Sequence, residues 1–138
     1  MPSYNLTGLK SVKLQLMDPG KVMNVQTAQK LLSECKVKLA ALGVEVKEND
    51  ATAALQFKID VGASGIFTNP DVLLRLELLE KVQTFREKFP RTEAKTYTGI
   101  FWETIQKQKL NEDCYSLFMD KLFLQFIDQW VTDNKITK

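Results

Sequence analysis

Asp71-Val72-Leu73-Leu74-Arg75-Leu76-Glu77-Leu78-Leu79-Glu80-Lys81-Val82-Gln83-Thr84-Phe85-Arg86-Glu87-Lys88-Phe89 is the stretch on which the fold turns. As a strand, Val72, Leu74, Leu76 and Leu78 alternate with Leu73, Arg75, Glu77 and Leu79. As a helix, Leu74, Leu78, Val82, Phe85 and Phe89 form a stripe at spacings of three and four. Asn69-Pro70-Asp71 suits a helix start, and Glu77 and Lys81 then make an i, i+4 pair. Periodicity leans helical over 74–89. A helix there leaves a short sheet with three helices; a strand makes it one arm of a long hairpin.

The flanking segments read more simply. Val12, Leu14 and Leu16 alternate with Lys13 and Gln15, which is the pattern of a half-buried strand. Asp18-Pro19-Gly20 ends it with turn chemistry. Val25, Ala28, Leu31, Leu32, Cys35, Leu39 and Leu42 then recur at three and four, an amphipathic helix of about five turns. Gly43 fits its C-terminal cap, and Val44 and Val46 make a short extended piece before an Asn49-Asp50 turn. Leu55, Phe57, Ile59 and Val61 alternate with Gln56, Lys58 and Asp60 in the cleanest strand of the chain. Residues 94–107 are rich in β-branched and aromatic types and read as a strand, with Gly99 marking a bulge or a close contact. The last segment is a helix capped by Asn111, with Glu112 and Asp113 in its first turn. Its wide apolar face, Phe118, Met119, Leu122, Phe123, Phe126, Ile127, Trp130 and Val131, requires a sheet or a partner to cover it.

Composition narrows the chemistry. The 138 residues correspond to one domain over 1–138, with no linker, repeat or low-complexity tract. The apolar share of 44% and charged share of 26% are globular. A net charge of +2 argues against a strongly basic nucleic-acid binder. The absence of histidine removes Ser-His-Asp triads, Cys-His dyads and histidine-ligated metal sites. Cys35 and Cys114 form no CxxC, and both fall on or beside apolar stripes, as buried inert thiols do; a disulfide between them is the alternative. No apolar run approaches the roughly 18 residues of a membrane span.

Each candidate motif has a plain structural reading. Gly62-Ala63-Ser64-Gly65 lacks the Gly-Lys-Ser/Thr of a phosphate loop and the GxGxxG of a dinucleotide loop, and reads as a strand-end turn. Glu48/Asp50 and Glu112/Asp113 carry too few oxygen ligands for a calcium loop. Asn5-Leu6-Thr7 is a sequon of the frequency chance supplies. Tyr97, Phe101 and Trp102 among Lys95 and Lys107 resemble a base-stacking surface only in outline, since no RNP-like octapeptide is present. No cofactor or metal is expected.

Residues 4–61 run from Tyr4-Asn5-Leu6-Thr7-Gly8-Leu9-Lys10-Ser11-Val12 through Leu39-Ala40-Ala41-Leu42-Gly43-Val44-Glu45-Val46 to Ala54-Leu55-Gln56-Phe57-Lys58-Ile59-Asp60-Val61. They resemble a group of uncharacterised bacterial exported proteins, which at fold level resemble lipopolysaccharide-assembly lipoproteins. Leu78-Leu79-Glu80-Lys81-Val82-Gln83-Thr84-Phe85-Arg86 followed by Ala94-Lys95-Thr96-Tyr97-Thr98-Gly99 is similar to their long hairpin, and Phe126-Ile127-Asp128-Gln129-Trp130 to their last helix. The chain departs from them in showing no export signal and no lipid-anchored cysteine. The resemblance implies a strand over 72–89, with a bulge near Glu80 absorbing the phase change between Leu78 and Val82.

The expected architecture is therefore an α+β two-layer sandwich, β-α-β-β-β-α, with an antiparallel-rich sheet and two helices on one face. The expected function is a non-enzymatic binding or scaffold module that engages a protein partner or a second copy through its open sheet face or a sheet edge. The location is periplasmic or exported if a signal was removed, and cytoplasmic otherwise. The alternative is a small-ligand-binding protein or unusual enzyme, its site between the hairpin and a helix and lined by Tyr97, Trp102 and Glu103. Single-stranded nucleic-acid binding is a third reading, and it requires a basic stripe on the open face.

Overall fold

The computed structural model describes residues 6–48, 53–62, 69–82 and 92–135, with side chains of 81, 82 and 92–94 excepted. β1 (Ser11–Met17), β2 (Glu45–Val46), β3 (Ala53–Val61), β4 (Asp71–Val82) and β5 (Thr92–Thr104) form one mixed sheet in the order β2-β1-β3-β4-β5. β1 pairs parallel with β2 and β3, while β3, β4 and β5 form an antiparallel meander. Helix α1 (Val25–Ala41) connects β1 to β2. After a 3-10 turn at Lys107–Lys109, helix α2 (Leu110–Leu117) continues through a π turn (Phe118–Leu122) into α3 (Phe123–Asp133). The architecture is the expected two-layer α+β sandwich, with all helices on one face.

Segment 71–82 is a strand because it is central. Both of its edges are occupied, by β3 from Ala53 to Val61 and by β5 from Thr92 to Thr104. Val72, Leu74, Leu76 and Leu78 are all buried beneath the helices. A helix here would have left two long strand edges without partners, a cost no side-chain stripe offsets. The expected bulge near Glu80 is corrected in place and in strand. β4 keeps its phase, and the register shifts between Leu78 and Leu79, opposite Tyr97 and Lys95, so Thr96 of β5 is the extra residue. Residues 83–89 of the expected strand, the expected Asn49-Asp50 turn, Ala63-Ser64-Gly65 and Asn5 lie outside the described residues.

Side-chain hydrogen bonds set the element boundaries. Asp18 folds the chain after β1, its carboxylate accepting from the N–H groups of Val22 and Met23 at 2.9 Å. Asn24 caps α1, its Oδ1 accepting from Thr27 N at 2.7 Å. Gly43 ends α1 at φ 91°, and Gly43 N and Val44 N return to the Ala40 and Leu39 carbonyls. Asn111 does not cap the last helix, which begins at Leu110. It reaches α1 instead: Oδ1 accepts from Asn24 N at 2.8 Å, and Nδ2 donates to Thr27 Oγ1 at 3.0 Å. One residue thus ties the starts of two helices together.

The core lies between Phe57 of β3 and the C-terminal helices. The Phe57 ring meets Phe118 edge-on at 5.2 Å and Phe123 at 6.4 Å. Cys114, Phe118, Leu122 and Phe126 recur every fourth residue and all are buried. In an ideal helix each such step overshoots a full turn by about 40°, which rotates the row off the sheet. The π turn at 118–122, with its i→i+5 bonds, takes up that drift. Gly99 supplies the close contact: a Cβ there would lie 3.3 Å from Leu122 Cδ2. At the far end, Asp133, Asn134 and Trp130 hold residues 6–9. Asp133 Oδ2 accepts from Leu6 N, Asn134 Nδ2 donates to Leu6 O, and Trp130 Nε1 donates to Leu9 O.

Candidate functional site: the open face of the sheet

Strand pleating divides the side chains between two faces. Leu14, Leu55, Leu78 and Tyr97 share the helix side through register, as do Leu16, Phe57, Leu76 and Gly99. The opposite face carries the rows Gln15–Gln56–Glu77–Thr98, Met17–Lys58–Arg75–Ile100 and Asp60–Leu73–Trp102.

The middle of this face is an ion-pair network built on a buried carboxylate. Glu77 has 1% of its side chain exposed. Lys58 Nζ stands 2.5 Å from its Oε1, Lys95 Nζ 2.7 Å from its Oε2, and Arg75 Nη1 3.9 Å from the same oxygen. Arg75 also pairs with Asp60 at 2.7 Å. Burial pushes the Glu77 carboxyl up, but the hydrogen bonds and charges of Lys58 and Lys95 outweigh it and hold the group below its ordinary value. Three cations thus surround two carboxylates. Gln56 Nε2 donates to Gln15 Oε1 at 2.8 Å and extends the polar network towards β1. Beside it, Met17, Asp18, Pro19, Lys58, Asp60 and Arg75 line a shallow concavity of about 450 Å³. Towards β5 the face turns apolar: Ile100 is 60% and Trp102 63% exposed.

Tyr97, Trp102 and Glu103 do not converge. Tyr97 is on the helix side, half-buried, with its ring edge-on to Phe126 at 5.2 Å. Trp102 is on the open face. Glu103 returns to the helix side opposite Val72, exposed at the end of β5. Residue parity separates neighbours 102 and 103 across the sheet. In the sequence pattern Glu77 had only a helical partner, Lys81, and Lys95 only a place beside aromatics, and neither Lys58 nor Arg75 was marked as a site residue. Their signal was the i, i+2 alternation of charge at Lys58/Asp60 and Arg75/Glu77, which gains meaning only once the β3–β4 register aligns the two pairs.

Burial holds both cysteine thiols protonated. Both cysteines are buried and free. Burial pushes the Cys114 thiol up to about 12 and the Cys35 thiol higher, and Cys35 Sγ contacts Met119 Sδ at 3.6 Å. Burial also raises Tyr97. Among the described residues no group of three metal-ligating side chains gathers, and no helix is long and apolar enough to cross a membrane.

Fold and site together define a two-layer α+β sandwich with a partly apolar sheet face on which no described helix packs. No known family model and no curated protein matches the chain. Among solved structures it is similar to a minor lipoprotein from Acinetobacter baumannii, at TM-score 0.40 and 16% identity over 96% of this chain and 99% of that one. It is also similar to the rare lipoprotein B from Shewanella oneidensis, at TM-score 0.32 and 8% identity over 88% and 91% of the two chains. Both neighbours are lipoproteins; at such scores the likeness assigns neither function nor location to this chain.

Proposed function

We propose that the chain is a single-domain, non-enzymatic binding or scaffold module of the bacterial cell envelope that engages a protein, or a second copy of itself, through the open face of its sheet. The observation that carries this reading is the pairing of exposed Ile100 and Trp102 with the Lys58–Glu77–Lys95 network on one continuous surface. Large apolar side chains rimmed by ordered polar groups are the anatomy of a contact surface. The envelope location rests on the sequence resemblance of residues 4–61 and of the hairpin. The test pairs light scattering and pull-down on wild type with the same measurements on Ile100→Thr/Trp102→Ser. Loss of association in the variant, with its melting temperature kept, supports the reading. Unchanged association, or turnover of a small molecule, overturns it. Translation of the genomic reading frame upstream of Met1, followed by fractionation, tests the location.

A further inference from the structure

A second surface lies at the opposite edge of the sheet. β2 pairs β1 only at Ser11 and Val12, and among the described residues no strand pairs the outer edge of Lys13–Met17. The N–H and C=O of one strand residue point the same way. Lys10 and Val12 accept from Glu45 N and Lys47 N on that side, so Leu14 and Leu16 present their backbone groups there too. Such groups are templates for another strand.

This edge is the floor of a groove whose wall is α1. Two adjoining concavities share Leu32. One, of about 240 Å³, contains Leu14, Ser33, Lys36 and Val46; the other, of about 370 Å³, contains Leu16, Met23, Val25, Ala28 and Gln29. The helical residues 25, 28, 29, 32, 33 and 36 form one stripe of α1. From 25 to 36 that stripe runs about 16 Å, at about 1.5 Å per residue. The five open residues of β1 span about 16 Å, at about 3.3 Å each. The groove therefore has the length of a five-residue strand. Leu14 and Leu16 on the floor, Leu32 on the wall and Val46 of β2 make it apolar, and Lys13, Lys36, Lys47 and Lys21 line it too. Of the two acids lining it, Asp18 is engaged by Val22 N and Met23 N, which leaves Glu48 against four lysines.

We infer that this groove binds an extended segment of a partner protein by strand addition to β1, the segment carrying apolar side chains at alternate positions and acidic residues at its flanks. Backbone bonds to Leu14 and Leu16 hold it, the alternate side chains enter between β1 and α1, and the lysines select the flanks. The groove meets the open face at Met17 and Asp18 but includes neither Ile100 nor Trp102, so variants at Trp102 and at Ser33 test the two readings separately.

The probe is a random-peptide display library selected on the full chain, with counter-selection on Ser33→Trp. Ser33 is exposed on α1, and tryptophan there fills the groove without entering the core. Gln29→Trp, equally exposed in the second concavity, replaces it should Ser33→Trp lose its wild-type circular dichroism. The expected result is enrichment of peptides with alternating apolar residues and acidic flanks. Their affinity should fall about tenfold in Lys36→Glu/Lys47→Glu, as expected for turning two exposed attractions into repulsions, and stay unchanged in Trp102→Ser. Absence of enrichment, enrichment without an acidic bias, or loss of binding in Trp102→Ser alone overturns the inference. So does edge-to-edge self-association that Ser33→Trp abolishes, which would make a second copy the occupant.

Discussion

Replacing Glu77 by Gln keeps the shape of the side chain and removes its charge. The carboxylate is 1% exposed, while Lys58 and Lys95 remain 24% and 47% exposed. Breaking a fully buried pair costs about 3–5 kcal/mol, and an exposed pair contributes about 0–1 kcal/mol. Partners that keep this much water place Glu77→Gln between the two, at about 1–3 kcal/mol of lost stability. For 138 residues the unfolding entropy is roughly 0.3 kcal/mol per kelvin, so the melting temperature should drop by roughly 3–10 °C. Acidity supplies the second arm. The folded pKa of Glu77 lies below its ordinary 4.5. Its contribution is therefore complete above that unfolded value and disappears as pH falls through the folded one. Urea denaturation of both proteins at pH 7 and at successively lower pH should show a gap that closes below 4.5. A gap that persists unchanged in acid, or no gap at pH 7, would refute the network as described.

Asn111→Ala should cost about 1 kcal/mol in urea denaturation, through its lost bonds to Asn24 and Thr27; faster amide exchange in the first turn of α1 would locate the loss there, and exchange changed only in α2 would contradict it. Gly99→Val should destabilise by about 1–3 kcal/mol, because a Cβ already meets Leu122 Cδ2 at 3.3 Å and Tyr97 Oη at 3.4 Å; a variant as stable as wild type would show that the π turn can shift. Cys35 and Cys114 should resist a thiol reagent at neutral pH until denaturant is added, since burial raises both thiols; prompt labelling of the native protein would count against the packing of α1 on α2.

Local pattern carried the layers of this protein. The alternations of β1 and β3, the stripe of α1 and the Gly43 cap are each written within a few consecutive residues, because each reports which side of one element faces the core. The same holds for the last helix, although its π turn arises from how a four-residue spacing must lie on a sheet. Segment 71–82 was ambiguous because its leucines satisfy both periods.

Contacts between distant residues settled the rest. The β3 and β5 edges needed a strand between them, and over 74–82 that demand outweighed the helical stripe. The bulge fell at Thr96 rather than near Glu80 because register belongs to a pair of strands and not to either one. Asn111 looked like a cap from its own neighbours and became a brace because α1 starts beside it. Tyr97 and Trp102, close in the chain, were parted by the pleat. Glu77 became the centre of the open face once register set Lys58 and Lys95 against it. Side-chain periodicity is a property of one segment; partners, edges and buried charge are properties of two, and only folding brings the two together.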